Sequence, residues 1–532
     1  MIMLTAMVAL LLTGCASKPA AEPAGAGGPK EELLLAVGAE PDGGFDPTTG
    51  WGRYGSPLFQ STLLKRGADM AIEADLASSY EVSEDGRTWT VDLKSDVKFS
   101  DGFSLTSDDV KFTFEQAARG GSIVDVTNVS QIDAPQPDRV VFTLKEPQST
   151  FINLLASLGI VPKHAYGADY AQKPIGSGPY KLVQWDRGQQ AIVTYNDLYY
   201  GEKPFFKKLT FLFLGEDAAF AAAKAGEVDV AYIPSAFSGQ AVAGMKLEAA
   251  QTVDNRGIMF PFIAPGEQTE GGYPIGNAVT SDLAIRQAIN YAIDRQALID
   301  GVLDGHGTPA YSVSDGMPWW NPESVFKDAD LEKAAELLAS AGWKDGDGDG
   351  IVERDGVKAA FTLLYPAGDL TRQSLALAAA DMVKSVGIRM EPSSKSWEEI
   401  GKLMYSNAVL FGFGSQDPIE MYNLYNSKNR GVDYYNAGYY RNEAADQWME
   451  QAMRATNEAD AMEAWKKAQW DGKTGFSVQG DAPWAWLVNL DHLYLVREGL
   501  SIGIQNIHPH GHGWPVTSNI EQWKWIEIES GQ

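Results

Sequence analysis

Segments with the two-residue repeat of a β-strand alternate along this sequence with segments that have the repeat of an α-helix. Trp89, Val91 and Leu93 alternate with polar residues, as in a strand with one buried face. The next pattern is helical, because Thr106 is followed three residues later by Asp109, close to a capping box, and apolar residues then recur on one face. A chain that interleaves these two patterns packs helices against sheets, so the fold class is α/β or α+β.

Other segments repeat the two patterns, and no fixed-period repeat is present. With 532 residues, the chain is long enough for two or three domains, each with its own core. The apolar faces of these segments are expected to form those cores. The predicted strands are 32–37 and 140–144, and the predicted helices are 285–293 and 331–338, the second ending near Gly342.

The only cysteine, Cys15, follows a short apolar run near the start of the sequence. Residues 6–12 are too few to span a bilayer, and no later apolar stretch is long enough, so no transmembrane helix is expected. The opening MIMLTAMVALLLTGC resembles a bacterial lipoprotein signal, and the resemblance implies cleavage after Gly14 and lipidation of Cys15. A buried core cysteine is the alternative. A single cysteine also excludes an intramolecular disulfide and a cysteine-built zinc site.

Residues 16–30 are mostly Ala, Pro and Gly, a composition typical of a flexible tether. The chain carries 43 Lys and Arg against 70 Asp and Glu, a formal net charge of −27. Such a negative surface repels phosphate backbones, so no nucleic-acid partner is expected. Together these features predict an acidic body held by a lipid anchor at the periplasmic or extracellular face of the cell membrane.

Six segments resemble, in the same order, the bacterial extracellular solute-binding proteins of family 5. These are the peptide- and nickel-binding proteins of ABC importers. The most specific segment is SEDGRTWTVDLKSDVKFSDGFSLTSDDVKFTFE at 83–115. The others are IGSGPYKL (175–182), YYGEKP (199–204), AKAGEVDVAYIP (223–234), AIRQAINYAIDRQALI (284–299) and EKAAELLASAGW (332–343).

The resemblance implies a type II periplasmic-binding-protein-like α/β fold, with two lobes that enclose a ligand and an extra subdomain in lobe I. The crossings between the lobes are expected near Arg256–Ala264 and Trp484–Val496, since both stretches are apolar and extended in pattern. Lobe I is then 31–262 plus 496–532, and lobe II is 263–495. The implied partners are the permease and ATPase subunits of an ABC importer, and the protein is expected to be a monomer.

Sequence motifs of common enzymes are absent. There is no HExxH and no GxSxG, and the GKT at 472–474 lacks the upstream glycine of a phosphate-binding loop. We therefore expect reversible binding without catalysis and without a required cofactor. A surface sensor or adhesin that reuses the fold is an alternative from another class.

Three of the six histidines lie in IHPHGHGW (507–514), at His508, His510 and His512. Neutral imidazole is a good ligand for nickel, copper and zinc, and in an extended strand these three side chains would share one face. The loop therefore predicts contact with a metal, preferably nickel or another metal already held by a small chelator. A surface turn whose imidazoles bond the backbone is the alternative.

The run GFGSQDPIEMYNLYNSK (412–428) bears on the choice between a chelate and a peptide. In peptide binders of the family, an Asp three residues before the Asp/Glu-Pro step holds the peptide's α-amino group, because a buried ammonium needs a charged partner. Gly414 occupies that position here, and the run is more like that of the nickel branch. The alternative is a di- or oligopeptide whose amine is held by Asp417 or Glu420.

Cationic and aromatic side chains would suit a chelate that carries carboxylates, because arginine pairs with carboxylates bidentately. Nickel binders of the family often carry an arginine just before the segment that matches IVPKHAY (160–166), and none stands there. Arg119 is the candidate substitute. For most of the tyrosines, packing within lobe II is the alternative role. The candidate ligand-binding residues are Arg119, Arg256, Arg430, Tyr434, Tyr435 and Asn436.

The segment DGDGDGIVERDG (345–356) spaces its acidic residues like the start of a calcium-binding loop. Asp345, Asp347 and Asp349 have the required spacing, and Glu353 falls at the ninth position. The twelfth position is glycine, where an EF-hand needs a bidentate glutamate. The segment therefore predicts either a structural calcium site or a simple Gly-Asp turn.

Overall fold

The computed structural model describes residues 30–55, 57–120, 124–511 and 513–526. The predicted lipoprotein signal with Cys15, residues 16–29 of the predicted tether, and His512 lie outside the described residues. Within the described ranges, no helix has both the length and the apolar character needed to cross a bilayer.

The first lobe is built on a seven-stranded mixed sheet. Glu32–Ala36 lies near its middle and pairs in parallel with Lys208–Leu212 and Val230–Ile233, because its apolar residues are buried on both faces. The predicted strand at 32–37 is thereby confirmed. In spatial order the strands are Met245–Ala250, His492–Arg497, Val230–Ile233, Glu32–Ala36, Lys208–Leu212, Gln190–Tyr195 and Tyr180–Asp186.

A four-stranded antiparallel sheet forms a subdomain of this lobe. The predicted strand with Trp89, Val91 and Leu93 is present, and these side chains pack with Val110 and Phe114 of the helix Ser107–Gly120. Both patterns therefore bury one apolar face in the same core. In spatial order the strands are Ala77–Val82, Thr88–Leu93, Arg139–Leu144 and Val129–Gln136.

The second lobe is built on a six-stranded sheet with a hydrophobic core on each face. Its central strand Asn255–Met259 is buried along its whole length. The predicted helices are present as Leu283–Ala292 and Leu331–Ser340, and Gly342 adopts a positive φ of 87° after the second. In spatial order the strands are Gly307–Pro309, Trp484–Leu490, Asn255–Met259, Ala408–Phe413, Ala360–Pro366 and Arg389–Lys395.

Further helices cover the sheets, and four two-stranded ribbons lie outside them. The other α-helices are Phe151–Leu155, Glu216–Lys224, Arg295–Val302, Leu370–Lys384, Trp397–Leu403, Ile419–Tyr425, Glu443–Arg454 and Glu458–Gln469. The ribbons pair Leu64–Arg66 with Ile72–Ala74, Glu267–Gln268 with Pro274–Ile275, Glu353–Arg354 with Val357–Lys358, and Leu500–Ser501 with Lys524–Trp525. Short 3₁₀ helices are Pro47–Thr49, Ser235–Phe237, Pro322–Ser324, Ser427–Asn429 and Pro515–Gln522.

The chain passes between the two large sheets at 251–254 and again at Asp491. The predicted return crossing, Trp484–Val496, contains the second passage, whereas the predicted outward crossing, Arg256–Ala264, lies later in the chain than the first passage, because Asn255–Met259 pairs with Trp484–Leu490 inside the second sheet. The sheets therefore divide the chain earlier than the predicted boundaries 262/263 and 495/496. The two-lobed α/β fold itself is confirmed.

A third segment runs beside the first passage. The amide of Val253 donates a hydrogen bond to the carbonyl of His508 at 2.9 Å, and the amide of His508 donates to the carbonyl of Gln251 at 2.9 Å. The amide of His510 then donates to the carbonyl of Gly414 in the second lobe at 2.8 Å. The histidine-rich loop thus lies at the junction of the lobes.

Candidate functional site

A cavity of about 460 Å³ lies between the two lobes. This volume is within the range of small-molecule binding sites. Lobe I and its subdomain supply most of the wall, and the segment after strand Ala408–Phe413 supplies the opposite side. The charged and aromatic lining residues are Trp51, Arg53, Tyr54, Lys65, Arg66, Asp75, Asp125, Tyr199, Asp417, Asp433, Tyr435, His508 and Glu521.

Asp417 lines this cavity, and Glu420, which lies near Asp417 but is absent from the cavity wall, completes an acidic pair that we call the acidic end. Asp417 Oδ1 accepts hydrogen bonds from the amide of Ile419 and from Asn153 Nδ2, both at 3.0 Å. Glu420 Oε1 accepts from the amide of Gly414 at 3.3 Å. Burial raises the pKa of Asp417 to about 6 and that of Glu420 to about 7. Neither carboxylate forms an ion pair with a residue that the structure describes.

Arg66 also lines the cavity, but its guanidinium donates hydrogen bonds to other residues of the protein. The guanidinium donates to Asn153 Oδ1, to the carbonyl of Gln416 across the lobe boundary and to the carbonyl of Met70 at 3.3 Å. Burial lowers the pKa of Arg66, while Asp417 opposes that shift. Arg66 therefore joins the lobes beside the acidic end.

Gly414 explains why the family's usual amine-binding position carries no acid in this chain. It adopts a φ of 143°, and an added Cβ would lie 2.0 Å from the carbonyl oxygen of Val253 in the first passage between the lobes. No side chain fits there. An acidic side chain is therefore excluded at this position, and the acids that follow it in the segment are Asp417 and Glu420.

The two described histidines of the loop 507–514 are both engaged by neighbouring residues. His508 Nδ1 lies 3.1 Å from His492 Nδ1, and His508 Nε2 lies 3.2 Å from Gln505 Oε1. His510 Nδ1 lies 2.6 Å from Asp254 Oδ1. Burial and the adjacent His492 hold the pKa of His508 well below its usual range, so this imidazole is neutral.

Arg256 lies beside Asp254 at the first passage and is absent from the cavity wall. Its guanidinium pairs with Asp254, whose other oxygen lies 3.3 Å from His492 Nε2. Burial alone would raise the pKa of Asp254, but Arg256 and His510 hold it well below its usual range. The predicted ligand contact of Arg256 is therefore replaced by an internal ion pair. We call Asp254, Arg256, His492, His508 and His510 the hinge cluster.

Tyr435 lines the cavity, whereas Tyr434 and Asn436 do not. Tyr434 is 40% exposed, and its hydroxyl lies 3.4 Å from the carbonyl of Trp397. Asn436 is buried and donates to two backbone carbonyls of its own loop region, those of Asn426 and Tyr440. These two residues therefore shape lobe II.

Arg430 and Arg119 also lie away from the cavity wall. Arg430 is exposed, and its Nε donates to the carbonyl of Ser427 at 2.9 Å. Arg119 is exposed in the last turn of the helix Ser107–Gly120. Of the predicted site residues, Asp417, Tyr435 and His508 line the cavity.

Sequence reasoning missed Arg53, Arg66 and Asn153. Arg53 lies in the run TGWGRYGSP, where an arginine between two aromatics and three glycines indicates a constrained exposed turn. Arg66 and Asn153 carry no such local signal, because their role depends on Gln416 and Asp417, which are distant in the chain.

The predicted calcium loop is mostly exposed and lies outside the cavity. Oxygens of Asp345, Asp347 and Glu353 all lie within 4.8 Å of one another. The ammonium of Lys358 contacts Asp347 at 2.7 Å and also bonds Asp349, so a cation of the protein already serves these two carboxylates. Structural calcium stays a prediction.

Comparisons with known proteins agree with this architecture. A family profile described as bacterial extracellular solute-binding proteins, family 5 Middle, matches residues 71–449. Protein XP55 of Streptomyces lividans is 33% identical over 483 residues, which cover 88% of this chain and 85% of that protein. The oligopeptide-binding protein AppA of Bacillus subtilis (strain 168) is 29% identical over 423 residues, covering 74% and 75%.

Among solved structures, NikZ from Campylobacter jejuni in complex with Ni(L-His) superposes with a TM-score of 0.75 and 25% sequence identity. The superposition covers 93% of this chain and 99% of NikZ. The profile match spans most of the sequence, and the fold, the cavity between lobes and the relatives all agree. The chain belongs to the bacterial extracellular solute-binding proteins, family 5.

Proposed function

We propose that this protein is the binding component of an ABC importer and that it encloses a short peptide between its lobes. The observation that carries the proposal is the acidic end of the cavity, where Asp417 and Glu420 have no cationic partner among the described residues. The similarity to an oligopeptide-binding protein of Bacillus subtilis supports the same ligand class.

A peptide's α-ammonium supplies what these two carboxyls lack. Burial raises their pKa values by more than the neighbouring arginines lower them, so each ionised form is held at a cost in free energy. An ammonium brings a positive charge and three hydrogen-bond donors to the same place. Asp417 is the principal anchor, because it lines the cavity and Asn153 and Ile419 fix one of its oxygens.

The lobes contact each other beside the cavity, as expected of a closed form. The amide of Ser149 donates to the carbonyl of Met453 at 2.8 Å, and Arg454 pairs with Glu146 at 2.9 Å. Opening these contacts would release the ligand unaltered to the permease and ATPase subunits. No covalent step is involved. A lipid on Cys15 would hold the protein at the outer face of the cell membrane.

Native mass spectrometry tests the ligand class. The protein is incubated with an equimolar mixture of random-sequence peptides of two to six residues and with nickel–L-histidine. We expect peptide adducts on the wild-type protein, their loss in Asp417→Asn, and their retention in the exposed-cation control Arg430→Gln. A nickel isotope pattern without peptide adducts contradicts the proposal.

A nickel chelate is the second candidate. Two observations favour it, namely that His508 lines the cavity and that NikZ, a structure 25% identical to this chain, contains Ni(L-His). Against it, both ring nitrogens of His508 lie within hydrogen-bond distance of His492 and Gln505. The histidines would have to leave these partners to coordinate a metal, so we place the chelate second.

A further inference from the structure

We propose that Arg53 binds a carboxylate of the ligand, so that the polar end of the cavity recognises a zwitterion with free amino and carboxyl groups. This inference rests on the proposed function, because it uses Asp417 and Glu420 as the ammonium site. Beyond the ammonium group of the proposed function, the inference gives the ligand a carboxylate and names Arg53 as the residue that binds it.

Arg53 reaches the cavity from a closely packed turn of lobe I. Gly52 and Gly55 on either side of it have φ values of 82° and 141°. An added Cβ at Gly52 would lie 2.5 Å from Pro57, and one at Gly55 would lie 3.1 Å from Pro515. The backbone is thus closely packed at both glycines that flank Arg53 and Tyr54.

The guanidinium of Arg53 has a stacking partner but no anion. Its Cζ lies 5.0 Å from the ring centroid of Tyr54, a cation–π contact. In the part of the chain that the structure describes, its side chain forms no ion pair and donates no hydrogen bond. A guanidinium carries five N–H donors in a planar fork that fits a carboxylate. Arg53 therefore has the geometry of a carboxylate receptor without its carboxylate.

The two acids beside Arg53 do not fill this role. Arg53 lowers the pKa values of both Asp417 and Glu420, so it lies near them, yet neither lies within ion-pair distance. Both carboxyls still have raised pKa values. The acids and the arginine thus remain uncompensated next to each other, and a molecule with one ammonium and one carboxylate satisfies both.

Arg66 differs from Arg53 because its guanidinium already has hydrogen-bond acceptors within the protein. Arg66 already donates to Asn153, Gln416 and Met70, so few of its donors remain for a ligand. Lys65 is exposed, and the carboxyls of Asp75 and Glu521 are near enough for it to lower their pKa values. Arg53 is therefore the best placed of the three cations for a ligand carboxylate.

The inference also narrows the ligand class. In a metal chelate of an amino acid, the amino nitrogen is bound to the metal and carries no ammonium charge. Such a ligand would leave Asp417 and Glu420 unpaired. Free amino acids and dipeptides with unmodified termini carry both charges close together, since an extended chain adds about 3.3 Å per residue, and they are the class that this end of the cavity fits.

The test uses amino acids and random-sequence peptides of one to six residues, each as the free acid and as the carboxyl-terminal amide. Competition is read by native mass spectrometry of the full chain. We expect wild-type protein to favour the acids at least tenfold and Arg53→Gln to bind both forms equally. Arg53→Lys should retain part of the preference, and Arg430→Gln should retain all of it. Thermal melting checks that each variant folds.

The outcomes separate this inference from the proposed function. Equal binding of acids and amides by wild-type protein overturns the role of Arg53 and leaves the peptide site intact. A preference that survives in Arg53→Gln and disappears in Lys65→Gln assigns the carboxylate to Lys65 and overturns the inference as well. Binding of amino acids alone, with the acid preference, contradicts the peptide proposal and supports the zwitterion. If no amino acid or peptide of the mixture binds, both the proposed function and the role of Arg53 are contradicted.

Discussion

The hinge cluster and the acidic end of the cavity both bury carboxylates, but only the first compensates its charge. Asp254 is surrounded by Arg256, His492 and His510, and its pKa is held well below the usual range. Asp417 and Glu420 receive hydrogen bonds but no ion pair, and their pKa values rise to about 6 and about 7.

This difference separates a structural acid from a binding acid. Neutralisation by the chain itself offsets the desolvation cost of a buried charge in the empty protein, whereas a charge left uncompensated destabilises the empty protein until a ligand arrives. The histidines that looked like metal ligands belong to the first kind of site. The predictions below test this division, beginning with the largest expected effect.

Replacing Asp254 with Asn should destabilise the protein strongly. The change leaves Arg256 buried without its anion, and removing one partner of a buried pair costs about 3–5 kcal/mol. We expect the thermal midpoint to fall by roughly 10 °C, measured by calorimetry. Asp381→Asn, in an exposed pair whose aspartate is 79% accessible, should change it little. A midpoint for Asp254→Asn close to wild type would remove the distinction between the two sites.

Replacing Asp417 with Asn should weaken peptide binding without harming the fold. The loss of a charge-assisted hydrogen bond to an ammonium predicts a decrease of about 10- to 100-fold in affinity. Calorimetric titration with a peptide retained in the mass-spectrometry test measures it. Asp125→Asn, a carboxylate of the same cavity outside the acidic end, is the comparison. Equal losses in both variants would mean that net cavity charge, rather than this acid, holds the amine.

Acidification should stabilise the ligand-free protein through Asp417 and Glu420. Their folded pKa values lie above the unfolded ones, so the native state binds more protons between about pH 4 and 7, and their stabilising contribution is lost as pH rises through this window. Relative to Asp417→Asn/Glu420→Gln, wild type should gain on the order of 1 kcal/mol from pH 7.5 to 5.

Thermal melting of both proteins at the two pH values measures this difference. Asp254 contributes nothing in the same window, because its depressed pKa confines its titration to lower pH. A wild-type curve parallel to that of the double variant would show that the cavity acids are compensated by the protein after all.

The smallest effects are expected at Arg430 and Tyr434. Both side chains lie outside the cavity wall, so Arg430→Gln and Tyr434→Phe should leave peptide affinity within twofold of wild type. Calorimetric titration checks both. A loss comparable to that of Asp417→Asn would place the binding site on this loop instead.

Local patterns predicted the elements of the fold well. The strand predicted around Trp89 and the helix predicted to carry Val110 and Phe114 are both present. Both predictions depend only on the burial of one apolar face, which the local sequence pattern records. Only the outward crossing is predicted too late in the chain, because an apolar extended stretch such as Asn255–Met259 has the same sequence pattern whether it joins two lobes or lies at the centre of a sheet.

The site was less accessible to sequence reasoning. Asp417 was proposed from family resemblance, and it lines the cavity. The spacing of His508 and His510 could not reveal the partners of these histidines. His492 and Asp254 lie outside the loop in the sequence and contact the two histidines only in the folded chain. Arg53 comes near Asp417 and Glu420 only in the folded chain, so the role that we propose for it could not be predicted from the sequence.

Gly414 contacts both the hinge cluster and the acidic end. Its amide donates to Glu420 of the acidic end, and its carbonyl accepts from the amide of His510 at the lobe junction. A rotation of the lobes that stretches one of these bonds pulls on the residue that makes the other. Under the proposed function, ammonium binding at the acidic end and rotation of the lobes are therefore coupled through the backbone of Gly414.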